Sequence, residues 1–378
     1  MAQTIFIISI SFLAYTYAVY PLIILGWRIF APRRVEARYS HRPVSVVLVV
    51  RNDEDFIEER LRNILSQDYP RDLLEVVLVP DGTTDRTLEV ARSTGGSRVR
   101  ILETGPIAGR ADAINRGVAA AANDIVVFGE VRQRFGESAI AELTAMFHDR
   151  AVGAVSGQLI VRLGSDSDMR EGVGAYWKYE RALRSLESRV DSVVGATRAI
   201  YAIRRELFSP IPAATIIDNF LIPMRVILRG YRVIFVPRAK AYDWRAESRT
   251  REFRRKARTL AGHFQVIVSE RSLLDPRLNP VFLQMVSHRL TRLFVPYFLV
   301  AALVSNAFLF DPFYRVTLFI QLLFYGTILL AFTPLASSRV AGLIRAVRTF
   351  AVLNAAAVMG LWVYLLRPAQ NDTQRRKR

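Results

Sequence analysis

The chain has 378 residues, 51% of them hydrophobic and 23% charged, a mixture that fits a soluble domain joined to membrane segments. Lys and Arg outnumber Asp and Glu by 52 to 34, a net +18; the hydrophobic segments direct that charge toward anionic lipid or a phosphorylated substrate, and no recognised nucleic-acid module appears. There are no cysteines, which excludes disulfides and thiolate metal sites.

Ile5–Ile29 is almost unbroken apolar sequence, long enough for the roughly 20 residues that cross a bilayer. The positive residues Arg28, Arg33, Arg34 and Arg38 follow it rather than precede it. That order favours a retained anchor over a cleaved signal peptide and places the next residues in the cytoplasm.

From Pro43 the pattern changes. Val44–Val50 reads as a buried strand, and Asn52 or Asp53 caps a helix with Ile57, Leu61, Ile64 and Leu65 on one face. Val76–Val79, Val99–Leu102 and Ile125–Phe128 read as further strands, and Gly109–Ala122 as an alanine-rich helix. Ala151–Val161 holds another strand; Tyr176, Tyr179, Leu183 and Leu186 mark a helix face; Tyr231–Val236 is a late strand. This alternation predicts an α/β fold, a mostly parallel sheet covered on both faces. Within Asp124–Phe135 the apolar run stops at one carboxylate, Glu130, followed by Arg132 and Arg134. The carboxyl end of a buried strand is where an α/β sheet places its chemistry.

Beyond Phe264 the chain turns apolar again. Pro280–Arg292 is amphipathic and reads as an interfacial helix or as a plain domain helix. Leu293–Phe310, Val316–Pro334 and Phe350–Leu366 are candidate spans. Three crossings from the cytosol would leave Arg375-Arg376-Lys377-Arg378 outside, against the positive-inside rule. Either one segment dips without crossing, or the tail departs from the rule.

Several motifs occur in a fixed order: V-S-V-V-L-V-V-R-N-D-E (44–54), E-V-V-L-V-P-D-G-T-T-D-R-T (75–87), G-R-A-D-A-I-N (109–115), V-G-A-T-R-A-I-Y-A-I-R-R (194–205), R-G-Y-R-V-I-F-V-P-R-A-K-A-Y (229–242) and E-F-R-R-K-A-R-T-L-A-G (252–262). By these residues the chain resembles a membrane-bound family 2 glycosyltransferase of the GT-A fold. The implied division is an N-terminal transmembrane helix and basic linker (1–42), the GT-A domain (43–265), and a C-terminal part with an interfacial helix, about three membrane segments and a basic tail (266–378).

The resemblance implies inverting transfer of a sugar from a nucleotide sugar, usually UDP-linked, to a lipid-linked or polysaccharide acceptor. The implied place is the cytoplasmic face of a bacterial plasma membrane, with membrane lipids around it. Such chemistry needs a grip on the base, cations for the diphosphate and a carboxylate for the acceptor proton. Asp81 matches a nucleoside-contacting aspartate, and Arg51 and Asp53 end the first strand, where the family also contacts the nucleoside. A turn aspartate and a helix cap are the structural alternatives for Asp81 and Asn52. Arg110 matches a basic residue that approaches the diphosphate.

The family's D-x-D, whose carboxylates hold a divalent cation (Mg or Mn), falls on Glu130-Val131-Arg132. Glu130 is the expected ligand; Arg132 cannot coordinate a cation and is expected on the diphosphate itself. The structural alternative pairs Glu130 with Arg132 or Arg134. The acidic pair of the catalytic loop falls on Asp218-Asn219, followed by Ile222 and Arg225. Asn219 cannot take a proton at neutral pH, which leaves Asp218 as the adjacent candidate base.

The family's Q-x-x-R-W falls on Arg255-Lys256-Ala257-Arg258-Thr259, without the Gln or the Trp. Arg258 is expected at the diphosphate, unless the run from Arg249 to Arg258 faces anionic lipid. Loss of the tryptophan platform favours a single-addition transferase, or a synthase of another branch, over cellulose-type processive synthesis. A second reading rests on Pro80, Arg132, Arg198 and Asn219, four departures where chemistry is expected. It makes the chain a catalytically impaired relative, a scaffold or partner of an active synthase or export subunit.

Overall fold

The structure is a computed structural model that describes residues 1–103, 109–163, 170–171, 175–244, 249–333 and 341–366. One mixed sheet organises the domain. Its strands are β1 (Val44–Val50), β2 (Leu74–Pro80), β3 (Val99–Ile101), β4 (Ile125–Gly129), β5 (Arg134–Phe135), β6 (Val152–Leu163), β7 (Arg170–Glu171), β8 (Ile200–Arg204) and β9 (Arg232–Asp243). Their order is β3-β2-β1-β4-β8-β6-β9-β5, with β7 paired to β6. The β3-β2-β1-β4 half is parallel, as the sequence predicts. Beyond it β8 runs antiparallel to both β4 and β6, so the sheet is mixed rather than mostly parallel.

The apolar strands are explained by burial on two sides. Val47, Val77, Val79, Val126 and Phe128 point into one core, under the helices Arg110–Ala120 and Asp218–Leu228. Val44, Val46, Leu48, Val76, Leu78, Ile125 and Val127 point into the other, under Glu54–Leu65 and Ala139–Thr144. Each fully buried aliphatic side chain contributes about 1.5–3 kcal/mol, so neither face can be exchanged for polar residues.

Among the described residues, four helices are long and apolar enough to cross a membrane: Ala2–Phe30, Phe282–Ala307, Pro312–Leu330 and Ala346–Leu366. The segment Pro280–Arg292, expected as an interfacial or domain helix, is instead the opening of Phe282–Ala307. Gln284, Ser287 and His288 are buried, and His288 lies between Glu180 and Glu187 of the helix Ala175–Val190. The basic tail Arg375–Arg378 lies outside the described residues.

Candidate active site

Three parallel strands, β1, β2 and β4, end at one edge of the sheet, and the loops that leave them carry most of the expected site residues. After β1, Asn52 adopts a left-handed backbone (φ 50°) and its Oδ1 accepts from the Thr84 amide at 2.8 Å. Asp85 accepts from the Glu54 amide and from Thr87, so the two loops are tied together. Asp81 opens the loop after β2. Its amide donates to Val50 O at 2.8 Å, while its carboxylate is buried with Oδ1 making no hydrogen bond among the described residues. A buried carboxylate oxygen without a donor is costly unless a ligand supplies one.

The exit of β4 is the centre of the cluster. Register Gly129↔Ile200 brings the loop before β8 beside Glu130. Arg198 in that loop approaches Glu130 Oε1 with Nε at 3.8 Å and donates from Nη2 to Asp218 Oδ1 at 2.9 Å. Arg198 also donates to Ile216 O, which fixes its head. Arg110 Nε faces Asp218 Oδ1 at 3.5 Å, an ion pair without a well-formed hydrogen bond. Asp218 is 4% exposed at its side chain, and its Oδ2 is also unpartnered. Burial alone would raise its pKa; the Arg110 and Arg198 guanidiniums outweigh that and hold the carboxyl below its usual range.

Tyr201 completes the floor. It stacks on Phe128 at 4.6 Å, its hydroxyl is buried without a partner, and burial followed by the Asp218 charge pushes its pKa well up. Arg60 was not foreseen. It projects from Glu54–Leu65 beneath Gly129, lies 3.9 Å over the Phe135 ring and donates to Asn63 Oδ1 at 3.0 Å. Burial lowers its pKa to about 9, opposed by Glu130. The available signal was its place on the Ile57–Leu61–Ile64 face, where an arginine must be buried.

Of the expected residues, Arg110, Glu130 and Asp218 meet through Arg198, and Asp53 meets Arg132, though not in the expected pairs. Glu130 pairs with Arg198 rather than with Arg132 or Arg134. Arg132 lies at 3.3 Å from Asp53 and against Phe56, and Arg134 pairs with Glu59 and stacks on Trp244. Arg51 is exposed, with its amide on Asp53 Oδ2. Asn219 is turned away from the pocket. Its Nδ2 donates to Ala196 O at 2.7 Å and its carbonyl accepts from the Ala196 amide at 2.7 Å, so it clamps the loop that carries Arg198. Arg225, at the spacing the motif predicts, bonds Glu270 at 3.1 Å. Arg258 is exposed on the helix Arg249–Ser269, which packs along Ala341–Leu366.

The donor set around Glu130 does not fit a cation held by the protein. Among the described residues no three His, Asp or Glu side chains converge as ligands. Glu130 instead faces Arg198 and lies in the field of Arg60 and Arg110. Two helix N-termini, Arg110–Ala120 behind Gly109 (φ 90°) and Asp218–Leu228, open here without side-chain caps. Together with the guanidiniums they make the pocket suited to an anion.

Comparison with known proteins bears on the fold that carries this site. Residues 45–211 match the model for glycosyl transferase family 2. The chain is 23% identical over 297 residues to the probable glycosyltransferase YdaM of Bacillus subtilis (strain 168), spanning 71% of this chain and 68% of that protein. It is 22% identical over 267 residues to the poly-beta-1,6-N-acetyl-D-glucosamine synthase of Staphylococcus aureus (strain MW2), 67% of this chain and 62% of the synthase. Among solved structures, the mannosyltransferase PcManGT from Pyrobaculum calidifontis, in complex with GDP-Man and Mn2+, superposes with a TM-score of 0.76 at 21% identity. That superposition covers 97% of this chain and 100% of that one and shows a shared fold.

Proposed function

We propose that this chain, whose residues 45–211 match glycosyl transferase family 2 and whose domain adjoins helices able to cross a membrane, transfers a sugar from a nucleotide sugar to a lipid-linked or polysaccharide acceptor. The acting face is the cytoplasmic side of the membrane, because arginines follow the first apolar helix. The reading is carried by the Arg110–Asp218–Arg198 cluster at the sheet edge where β2 also delivers Asp81, with buried atoms that make no hydrogen bond among the described residues on Asp81, Arg110 and Asp218.

Asp81, Asp53 and Arg51 bind the nucleoside, and Arg110, Arg198 and Arg132 take the diphosphate. Asp218, ionised at neutral pH, is the base. The acceptor oxygen attacks the anomeric carbon from the face opposite the leaving group, and its proton passes to an Asp218 oxygen. The bond from the anomeric carbon to the diphosphate oxygen breaks, and its electron pair leaves with the nucleoside diphosphate, so the sugar is inverted. General-base assistance of this kind contributes about 10²–10⁴-fold.

Purified protein in detergent is expected to release UDP or GDP from at least one sugar donor. Asp218→Asn should lower that rate by about 10²-fold or more while leaving nucleotide binding in place. Absence of turnover with every donor, together with co-purification of an active synthase, would instead support the scaffold reading.

A further inference from the structure

The expected metal position and the observed side chains disagree, and the disagreement has a specific shape. We propose that the Arg110–Arg198 guanidinium pair neutralises the nucleoside diphosphate in place of a divalent cation. This rests on the nucleotide-sugar reading above. The position is set by the sheet: pairing of Gly129 with Ile200 delivers Arg198 to the exit of β4, against Glu130. A divalent cation bound to Glu130 would sit beside that guanidinium and in the field of Arg60 and Arg110. Guanidiniums keep their charge and cannot step aside by losing a proton.

The same groups suit phosphate oxygens. A guanidinium offers several forked donors, and Arg110 Nε is buried with only the 3.5 Å ion pair to Asp218 and no hydrogen bond among the described residues. The Tyr201 hydroxyl is buried and unpartnered beside it. The uncapped starts of Arg110–Ala120 and Asp218–Leu228 add backbone amides. Asp218 and Glu130 hold the two arginines in place.

Occupancy then has a consequence for the base. Diphosphate oxygens compete with Asp218 for both guanidiniums. Once these turn to the ligand, the buried carboxylate loses the charges that stabilise its ionised form and becomes the stronger base. Donor binding and activation of Asp218 are thereby one event.

The test is calorimetric binding of UDP and GDP to the full chain in detergent, with EDTA and with excess Mn2+, alongside a thermal melt as a folding control. The expected affinity differs by no more than about twofold between the two conditions, and Arg198→Gln weakens it by about tenfold or more, as for loss of a charged hydrogen bond. Arg198→Lys should recover part of that loss. Glu130→Gln guards against a variant that fails to fold: freeing Arg198 should leave nucleotide affinity equal or tighter. Binding that needs Mn2+, or that is lost in Glu130→Gln, overturns the inference and leaves the transferase reading standing. Binding of neither nucleotide in either condition removes the nucleotide-sugar reading itself, and this inference with it.

Discussion

Asp218 and Asn219 are adjacent, yet the fold gives them opposite tasks. Asp218 is the first residue of its helix and faces Arg110 and Arg198; Asn219, one residue on, holds Ala196 through both its side chain and its backbone. An aspartate at 219 would replace the Nδ2 donor by an oxygen facing the Ala196 carbonyl. It would strain a loop in which Gly195 already has φ 82° and little room beside Phe220. Asn219→Asp is therefore expected to lower stability by about 1–3 kcal/mol, seen as a lower Tm in detergent, and to reduce turnover rather than raise it. A gain in turnover with an unchanged Tm would show that position 219 faces the sugar. The motif could locate this pair in the sequence, but which side chain looks inward depends on where the helix starts and on a contact 23 residues away. The ring of arginines around Glu130 was hidden for the same reason: Arg60, Arg110 and Arg198 converge only through the sheet.

At the level of elements, β1, β2 and β4 were readable because their runs are apolar on both faces, and that pattern survives whatever the neighbours are. Strand β8 was visible only as part of a motif. Its direction is fixed by pairing with β4, some 75 residues earlier, and local sequence does not carry that information. The alanine-rich helix Arg110–Ala120 shows how an element positions chemistry. Gly117 lets it lie so close to the sheet that an added Cβ would come within 2.5 Å of Val47 Cγ1 and 2.9 Å of Val79 Cγ2. Gly117→Val must push the helix outward and carry Arg110 with it. Overpacking of this kind costs about 1–3 kcal/mol. The expected result is a lower Tm together with weaker nucleotide binding. A lower Tm with unaltered binding would show that the helix yields away from its Arg110 end.

Across the whole molecule, the loop that carries Arg198 is held from three directions, and one of them is a membrane helix. Asn219 holds Ala196 from the helix Asp218–Leu228. Arg184 of Ala175–Val190 donates to Thr197 Oγ1 and to Ser156 Oγ, each at 2.8 Å, and the Thr197 amide also donates to Ser156 Oγ. Arg289, in the first turns of Phe282–Ala307, donates to Val194 O through Nε at 3.2 Å and Nη2 at 3.0 Å. The same stretch is locked to Ala175–Val190 by His288 and Arg292 on Glu180. Burial alone would raise the pKa of Glu180, but these neighbours hold it well below the carboxylate range. The helix Phe282–Ala307, long and apolar enough to cross a membrane, is thus also a support for the site, because a shift of it would be felt at Val194. Arg289→Met keeps the stem and removes both bonds to that carbonyl, at a cost of about 1–3 kcal/mol. It is expected to lower turnover severalfold and weaken nucleotide binding in the full-length protein, with the fold retained by circular dichroism. If Arg289→Met lowers the Tm and leaves turnover and binding as they were, the helix holds the domain to the membrane without holding Arg198 in place.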